Sequence, residues 1–262
     1  MMRSAIVFVL AFFISMNEGV AQQSFLLEDY ARLVNINDPQ ISPDGRSVLL
    51  VVSRPDYDRN IFSTELVSVE VATGKLTILI KNRPSLSHPR WSPDGSHIAF
   101  LAKASEVKSS PTRIFILSVQ GDSSVAVTQT SKGVQHFSWS PDSRKIAFVT
   151  TDEPANKDMI EKGYTAFEVL NNDMFVTSRP LPAHIWTVDI TSGKQKRLTS
   201  GEWSLPITIP PGAPLSPLSW SPDGKYLLFA KVPTPYSGDL PQRTLYRLEV
   251  NTGNMETITN KR

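Results

Sequence analysis

One short motif occurs four times and organises the whole sequence. It reads ISPDG at 41–45, WSPDG at 91–95, WSPDS at 139–143 and WSPDG at 220–224. Each copy is followed by an apolar run, then by a second strand-like segment and a polar turn. A repeat of roughly fifty residues with this order of strands and turns is typical of the blades of a β-propeller.

The motif has a physical explanation as a tight turn. Proline presets φ at the first central position of a type I turn, aspartate suits the second, and glycine accepts the positive φ that follows. Ser143 stands where the other copies have glycine, so we expect it in a left-handed conformation that costs roughly 1 kcal/mol. On this basis alone Ser143→Gly is expected to stabilise the protein. The residues assigned to structural turns are Ser42, Pro43, Asp44, Gly45, Ser92, Pro93, Asp94, Gly95, Ser140, Pro141, Asp142, Ser143, Ser221, Pro222, Asp223 and Gly224.

A tryptophan begins three of the four copies. Trp91, Trp139 and Trp220 hold the same repeat position, so we interpret them as core between neighbouring blades and not as a carbohydrate-stacking ring. The motif aspartates are of a type that binds calcium, but their role in the turn explains them without a metal. No metal site and no cofactor is predicted.

The spacing of the repeats predicts an all-β fold with four recognisable four-stranded blades. The propeller is expected over 36–262, with blades at about 38–81, 87–130, 135–199 and 217–259. Apolar residues at helical spacing predict a short amphipathic helix in the lead-in 22–35.

The third blade is longer than the others, and its extra residues lie within 151–184, between its second and third strands. Insertions into repeats lie in loops on one face, often the binding face. The apolar residues of this insertion either form a partner-binding patch or pack it onto the blade; they are Met159, Ile160, Tyr164 and Phe167.

Residues 1–21 read as a secretory signal peptide. Met1–Arg3 give a positive start, Ala5–Met16 are apolar, and the small residues before Gln22 suit cleavage. The alternative is an uncleaved anchor. We therefore expect an exported protein, periplasmic or secreted, that does not contact the membrane after cleavage.

Composition excludes several kinds of chemistry. The chain has no cysteine, which rules out disulfides, thiolate catalysis and cysteine-bound metals. Its net charge is +2 without a prominent basic run, so nucleic acid is not an expected partner. His88 and His136 each lie three residues before a motif tryptophan, at equivalent repeat positions, but no metal-binding spacing such as HExxH is present. No serine lies in a Gly-x-Ser-x-Gly context, so no catalytic residue is predicted.

The chain resembles the N-terminal propeller of exported serine peptidases of the prolyl oligopeptidase family, of the dipeptidyl- and acylaminoacyl-peptidase type. The resemblance rests on LEDYARLVNINDPQISPDG at 27–45, on the four SPD motifs and on HIWTVDITSGKQKRLTSGEWS at 184–204. The SPDG repeats alone are shared with TolB-like propellers. In the family, a ring of seven or eight blades restricts access to an α/β-hydrolase domain that carries the catalytic serine, aspartate and histidine.

Two functions from different classes follow from this resemblance. The first is the propeller portion of an exported serine peptidase, without its catalytic domain, which gates peptide access and does not itself hydrolyse. Its partners are peptide substrates and an α/β-hydrolase domain. The second is a TolB-like periplasmic propeller that binds other periplasmic proteins as a scaffold.

Overall fold

A computed structural model describes residues 26–259, except 106, 108, 122, 169–178 and 207–216. The predicted signal peptide over 1–21 and the first part of the lead-in lie outside the described residues. Within these limits the fold is all-β, as predicted, with four four-stranded antiparallel sheets. None of the helices in the described ranges has the length and apolar character that a membrane span needs.

Each sheet is a meander whose strands are neighbours in chain order. Sheet 1 consists of β1 Asn35–Ile41, β2 Ser47–Asp56, β3 Ile61–Glu70 and β4 Leu76–Ile80. Sheet 2 consists of β5 Ser87–Trp91, β6 His97–Lys103, β7 Thr112–Ser118 and β8 Ser124–Ala126. Sheet 3 consists of β9 Val134–Trp139, β10 Lys145–Thr151, β11 Ala183–Asp189 and β12 Gln195–Arg197. Sheet 4 consists of β13 Ser219–Trp220, β14 Tyr226–Lys231, β15 Thr244–Glu249 and β16 Met255–Thr257. In every sheet the motif is the turn between the first two strands.

Three hydrophobic clusters lie between consecutive sheets, because residues along a strand point alternately to its two faces. In β6, Ile98 and Phe100 belong to the cluster shared with sheet 1, whereas Ala99 and Leu101 belong to the cluster shared with sheet 3. Strand β10 repeats this division between sheets 2 and 4. The sheets therefore pack face to face in chain order, as blades do.

The lead-in contains a short helix, as predicted, and it is a 3₁₀-helix over Leu27–Arg32. Asp29 Oδ2 accepts a hydrogen bond from the backbone N–H of Leu26 and begins the helix. Its apolar residues Leu26, Tyr30 and Leu33 are exposed.

The insertion of the third repeat lies between β10 and β11, where the sequence places it. It contains a short α-helix over Lys157–Glu161 that buries none of its residues. Residues 169–178 of the insertion lie outside the described residues.

Candidate functional site

All four motif turns have the same pattern of hydrogen bonds. In each turn the serine Oγ donates to the aspartate Oδ1 at 2.6 Å and accepts the backbone N–H of the first residue of the next strand at 2.9 Å. The aspartate also accepts the backbone N–H two residues further on. These bonds, led by that from the serine, lower the pKa of all four aspartates, that of Asp94 to about 2. Serine and aspartate therefore close the turn together, which accounts for both residue types.

Ser143 differs from the glycines at its repeat position in one contact. Its φ is +59°, close to the +73° of Gly95, so the left-handed conformation expected from the motif is present. Its Oγ also accepts the backbone N–H of Asp94 at 3.0 Å, and the residue is only 5% exposed. Ser143 therefore ties the turn of sheet 3 to that of sheet 2, a role that the local turn geometry did not predict.

The three motif tryptophans bridge neighbouring sheets. Trp91 Nε1 donates to the carbonyl of Gln40 at 3.4 Å, and Trp139 Nε1 donates to that of Arg90 at 3.2 Å. Trp220 Nε1 donates to the carbonyl of Ser138 at 3.1 Å. Each acceptor lies two residues before the motif serine of the preceding sheet, so a single inter-sheet bond is repeated at all three junctions.

A group of ionisable side chains lies on the first strands of sheets 1 to 3. The inner-strand cluster consists of Asp38 on β1, His88 and Arg90 on β5, and His136 on β9. Asp38, His88 and His136 each lie four residues before a motif serine, so they hold one repeat position. The sequence drew attention to the two histidines and missed Asp38 and Arg90, although the alignment that pairs the histidines also includes Asp38.

An ion pair joins the cluster across two sheets. Arg90 Nη1 lies 2.8 Å from Asp38 Oδ1, and Arg90 Nη2 lies 3.3 Å from His88 Nε2. His88 Nδ1 is 3.8 Å from Asp38 Oδ2. The His88 and His136 rings meet edge to face, with centroids 4.9 Å apart. His136 Nδ1 is buried without a hydrogen-bond partner, which is a cost that native proteins rarely accept.

The backbone is irregular where it presents these groups. Asp38 and His88 have φ values of +51° and +58°, and the register of each first strand shifts at the same point. Burial lowers the pKa of His88, and Arg90 acts in the same direction. Burial also lowers the pKa of His136 to about 4, with His88 and Arg90 contributing. Both imidazoles are thus held neutral beside a paired arginine, which suits polar contacts with a ligand more than proton transfer near pH 7.

His184 is a buried histidine at the start of β11, next to the end of the insertion. The ring is fully buried; Nε2 lies 3.0 Å from the carbonyl of Gly201, and the ring meets Trp203 edge to face. Asp152, just after β10, pairs with Arg197 at 2.8 Å. Burial lowers the pKa of His184, and Asp152 opposes this effect. The sequence assigned no role to His184; the structure shows that it packs β11 of sheet 3 against the segment that follows β12.

The insertion presents an apolar surface. Met159, Ile160 and Tyr164 are all exposed, so the interpretation that they pack the insertion onto the blade is wrong for these three residues. Phe167 is half-buried. In the part of the chain that the structure describes, no group of three or more His, Asp or Glu side chains has a geometry that would hold a metal ion.

Comparison with known proteins gives a relative and several similar folds. The chain is 27% identical over 212 residues to the uncharacterized peptidase YuxL of Bacillus subtilis, with 78% of this chain and 30% of that protein aligned. Acylaminoacyl peptidase of Pyrococcus horikoshii has a TM-score of 0.63 at 18% identity over 88% of this chain and 33% of that one. The β-propeller domain of the Trilobed protease of Pyrococcus furiosus has a TM-score of 0.55 at 19% identity and 88% coverage, spanning 59% of that chain. The chain resembles the propeller portion of a peptidase.

The chain spans about a third of the length of YuxL and of the acylaminoacyl peptidase. TolB of Acinetobacter baumannii has a related fold, with a TM-score of 0.52 at 16% identity over 87% of this chain and 44% of that one. No family model matches the chain.

Proposed function

We propose that this chain is the propeller portion of an exported serine peptidase of the prolyl oligopeptidase family. The observation that carries the proposal is the sequence similarity to YuxL, which is described as a peptidase and aligns over 78% of this chain. The similar fold of acylaminoacyl peptidase supports it, because the match again covers a third of the peptidase and most of this chain.

In this proposal the chain controls access to chemistry that it does not perform. Its sequence has no nucleophile elbow, so hydrolysis requires an α/β-hydrolase domain beyond these residues. The inner-strand cluster supplies polar groups on the first strands of three successive sheets, where a propeller has its central channel. A peptide that passes this way would meet Arg90 and the neutral imidazoles of His88 and His136. The propeller thus selects peptides by size and by polar contact before they reach the catalytic domain.

The coding sequence after the codon for Arg262 tests the proposal. An open frame that encodes further strands and a Gly-x-Ser-x-Gly motif would support it. A stop codon with no hydrolase gene nearby would contradict it and favour the TolB-like scaffold. Two observations support this second function: the fold is similar to that of TolB, and the insertion has exposed apolar residues.

Export is part of the proposal, and it has its own test. The positive start, the apolar stretch and the small residues before Gln22 predict removal of residues 1–21. We expect protein recovered from the periplasm or the medium to begin at Gln22, as measured by N-terminal sequencing or intact mass. Soluble cytoplasmic protein that retains Met1 would contradict export.

A further inference from the structure

We infer that the inner-strand cluster binds a carboxylate group of a peptide, with Arg90 as the main contact and His136 as the second. This rests on the proposed function, because that function supplies a peptide as the ligand; the new element is the group of the peptide that is recognised. The contacts that support it join sheets 1, 2 and 3 to one another inside the chain.

The acceptor atoms of the cluster already face donors of the protein itself. Asp38 Oδ1 accepts hydrogen bonds from Arg90 Nη1 at 2.8 Å and from Gln40 Nε2 at 3.1 Å. Because arginine has only N–H donors, the contact of Arg90 Nη2 with His88 Nε2 at 3.3 Å makes this nitrogen an acceptor. The proton of neutral His88 is then on Nδ1, which lies 3.8 Å from Asp38 Oδ2. Asp38 and His88 therefore orient Arg90 and face each other.

Arg90 keeps N–H donors that no described residue accepts. Its Nη1 donates to Asp38 and to the carbonyl of Pro89, and its Nη2 donates one hydrogen to His88. The Nε–H and the second hydrogen of Nη2 have no partner among the residues that the structure describes. The side chain is also 30% exposed. A ligand at this place must therefore bring acceptor oxygens.

His136 adds a further donor on the first strand of sheet 3. Its ring meets that of His88 edge to face, with centroids 4.9 Å apart, so His88 contacts both Arg90 and His136. Because Nδ1 of His136 is buried without a hydrogen-bond partner, Nε2 is the nitrogen that can reach a ligand. A neutral imidazole carries one N–H, and an acceptor oxygen favours the tautomer that has it on Nε2.

A carboxylate suits these donors better than a neutral carbonyl group does. Its two oxygens can accept the two unused N–H groups of Arg90, and hydrogen bonds between charged groups are about twice as strong as those between neutral groups. The negative charge of Asp38 does not prevent this, because Asp38 is already paired with Arg90 at 2.8 Å. A guanidinium carries its donors in a fork, so it can hold carboxylates at more than one edge.

The backbone at the cluster also suits a binding site. Asp38 and His88 have positive φ values, and the register of both first strands shifts at these residues. Residues other than glycine are strained in this conformation, and such strain is concentrated at sites that bind ligands or carry out chemistry.

Isothermal titration calorimetry with three blocked peptides at pH 7 tests carboxylate binding. The peptides are acetyl-Ala-Ala-Ala with a free C-terminal carboxylate, the same peptide as its C-terminal amide, and acetyl-Ala-Glu-Ala amide. We expect at least one of the two peptides that carry a carboxylate to bind roughly tenfold more tightly than the neutral amide. The difference between those two shows whether the carboxylate comes from the end of a peptide or from a side chain.

Two substitutions locate the site within the chain. Arg90→Lys keeps a positive charge beside Asp38 but removes the planar fork of N–H groups, so it should weaken carboxylate binding roughly fivefold or more. His136→Phe keeps a ring beside His88 but has no N–H, and it should weaken binding roughly threefold or more. His97→Phe is the matched control, because His97 begins β6 outside the cluster, and its affinity should equal that of the wild type. Circular dichroism shows whether each variant is folded, and the comparison of peptides on the wild-type chain needs no variant.

Four results would overturn carboxylate binding at this cluster: equal affinity for all three peptides, no measurable binding of any of them, unchanged affinity in folded Arg90→Lys, or equal losses in folded His136→Phe and His97→Phe. Each would leave the proposed peptidase function standing, since that is tested by the coding sequence after Arg262. A stop codon there without a hydrolase gene nearby would contradict the peptidase function and would leave the preference for a carboxylate measurable.

Discussion

At the scale of single residues, Ser143 shows how one side chain serves two purposes. It adopts the left-handed turn conformation that its three counterparts reach as glycines. Its hydroxyl also holds the neighbouring turn through the N–H of Asp94. A buried hydrogen bond contributes about 1 kcal/mol, which is close to the strain of a left-handed residue with a Cβ. The two effects offset each other.

We therefore expect Ser143→Gly to change the free energy of unfolding by less than about 0.5 kcal/mol. Glycine relieves the strain but loses the hydrogen bond and adds unfolded-state entropy. Ser143→Ala keeps the strain and loses the bond, so it should destabilise by about 1 kcal/mol. Urea unfolding midpoints of both variants measure the difference. If Ser143→Gly gained a full 1 kcal/mol or so, the contact with Asp94 would contribute nothing to stability.

The buried imidazole of His136 predicts a dependence of stability on pH. Its pKa is about 4 in the folded protein and about 6.5 in the unfolded chain. Between these values the unfolded chain binds more protons, so stability falls as pH drops from about 6.5 to about 4. The loss from this residue is at most roughly 3 kcal/mol.

His136→Phe should weaken this acid sensitivity, because phenylalanine keeps a ring beside His88 and removes both the titration and the unpaired Nδ1. The measurement is the urea midpoint of wild type and variant at pH 7 and pH 5. His97→Phe, outside the inner-strand cluster, is the control. An equal loss of stability with acid in wild type and His136→Phe would show that His136 does not titrate as described.

At the scale of the elements, the stack of sheets is held by apolar clusters and by one repeated hydrogen bond. Trp139→Phe removes the N–H that reaches the carbonyl of Arg90 together with part of the buried ring. We expect a loss of roughly 1–3 kcal/mol in the free energy of unfolding, measured by urea unfolding with circular dichroism.

Trp186→Phe is the matched control for this loss. Trp186 is partly buried and packs against the same cluster between sheets 2 and 3, but its Nε1 is buried without a hydrogen-bond partner. Removing that N–H should be nearly neutral or stabilising. If Trp139→Phe and Trp186→Phe lowered the free energy of unfolding equally, the loss would come from the smaller ring, and the inter-sheet hydrogen bond of Trp139 would contribute nothing.

At the scale of the whole molecule, the proposal separates binding from catalysis. The chain carries no nucleophile elbow and no cysteine, so we expect no serine to react with a fluorophosphonate probe and no peptidase activity on peptidyl or acylaminoacyl substrates. Labelling followed by intact mass measurement checks this, with an active serine hydrolase as the positive control. Stoichiometric labelling of this chain would mean that its own loops build a catalytic serine.

Local chemistry allowed the sequence by itself to determine the architecture. Turn residues and the alternation of apolar positions act over a few neighbours, so four copies of the motif specified the four meanders, the left-handed Ser143 and the place of the insertion. The same locality explains the lead-in, where apolar residues at helical spacing predicted a short helix and the structure has a 3₁₀-helix over Leu27–Arg32.

Only the tertiary structure decided which side chains meet. Asp38, His88 and His136 are each a full repeat apart, and they form a cluster because the packing of sheets brings successive first strands together. The contact of Ser143 with Asp94 has the same origin. Such contacts depend on how one sheet packs on the next. No pattern within a single repeat encodes the distance between side chains of neighbouring sheets.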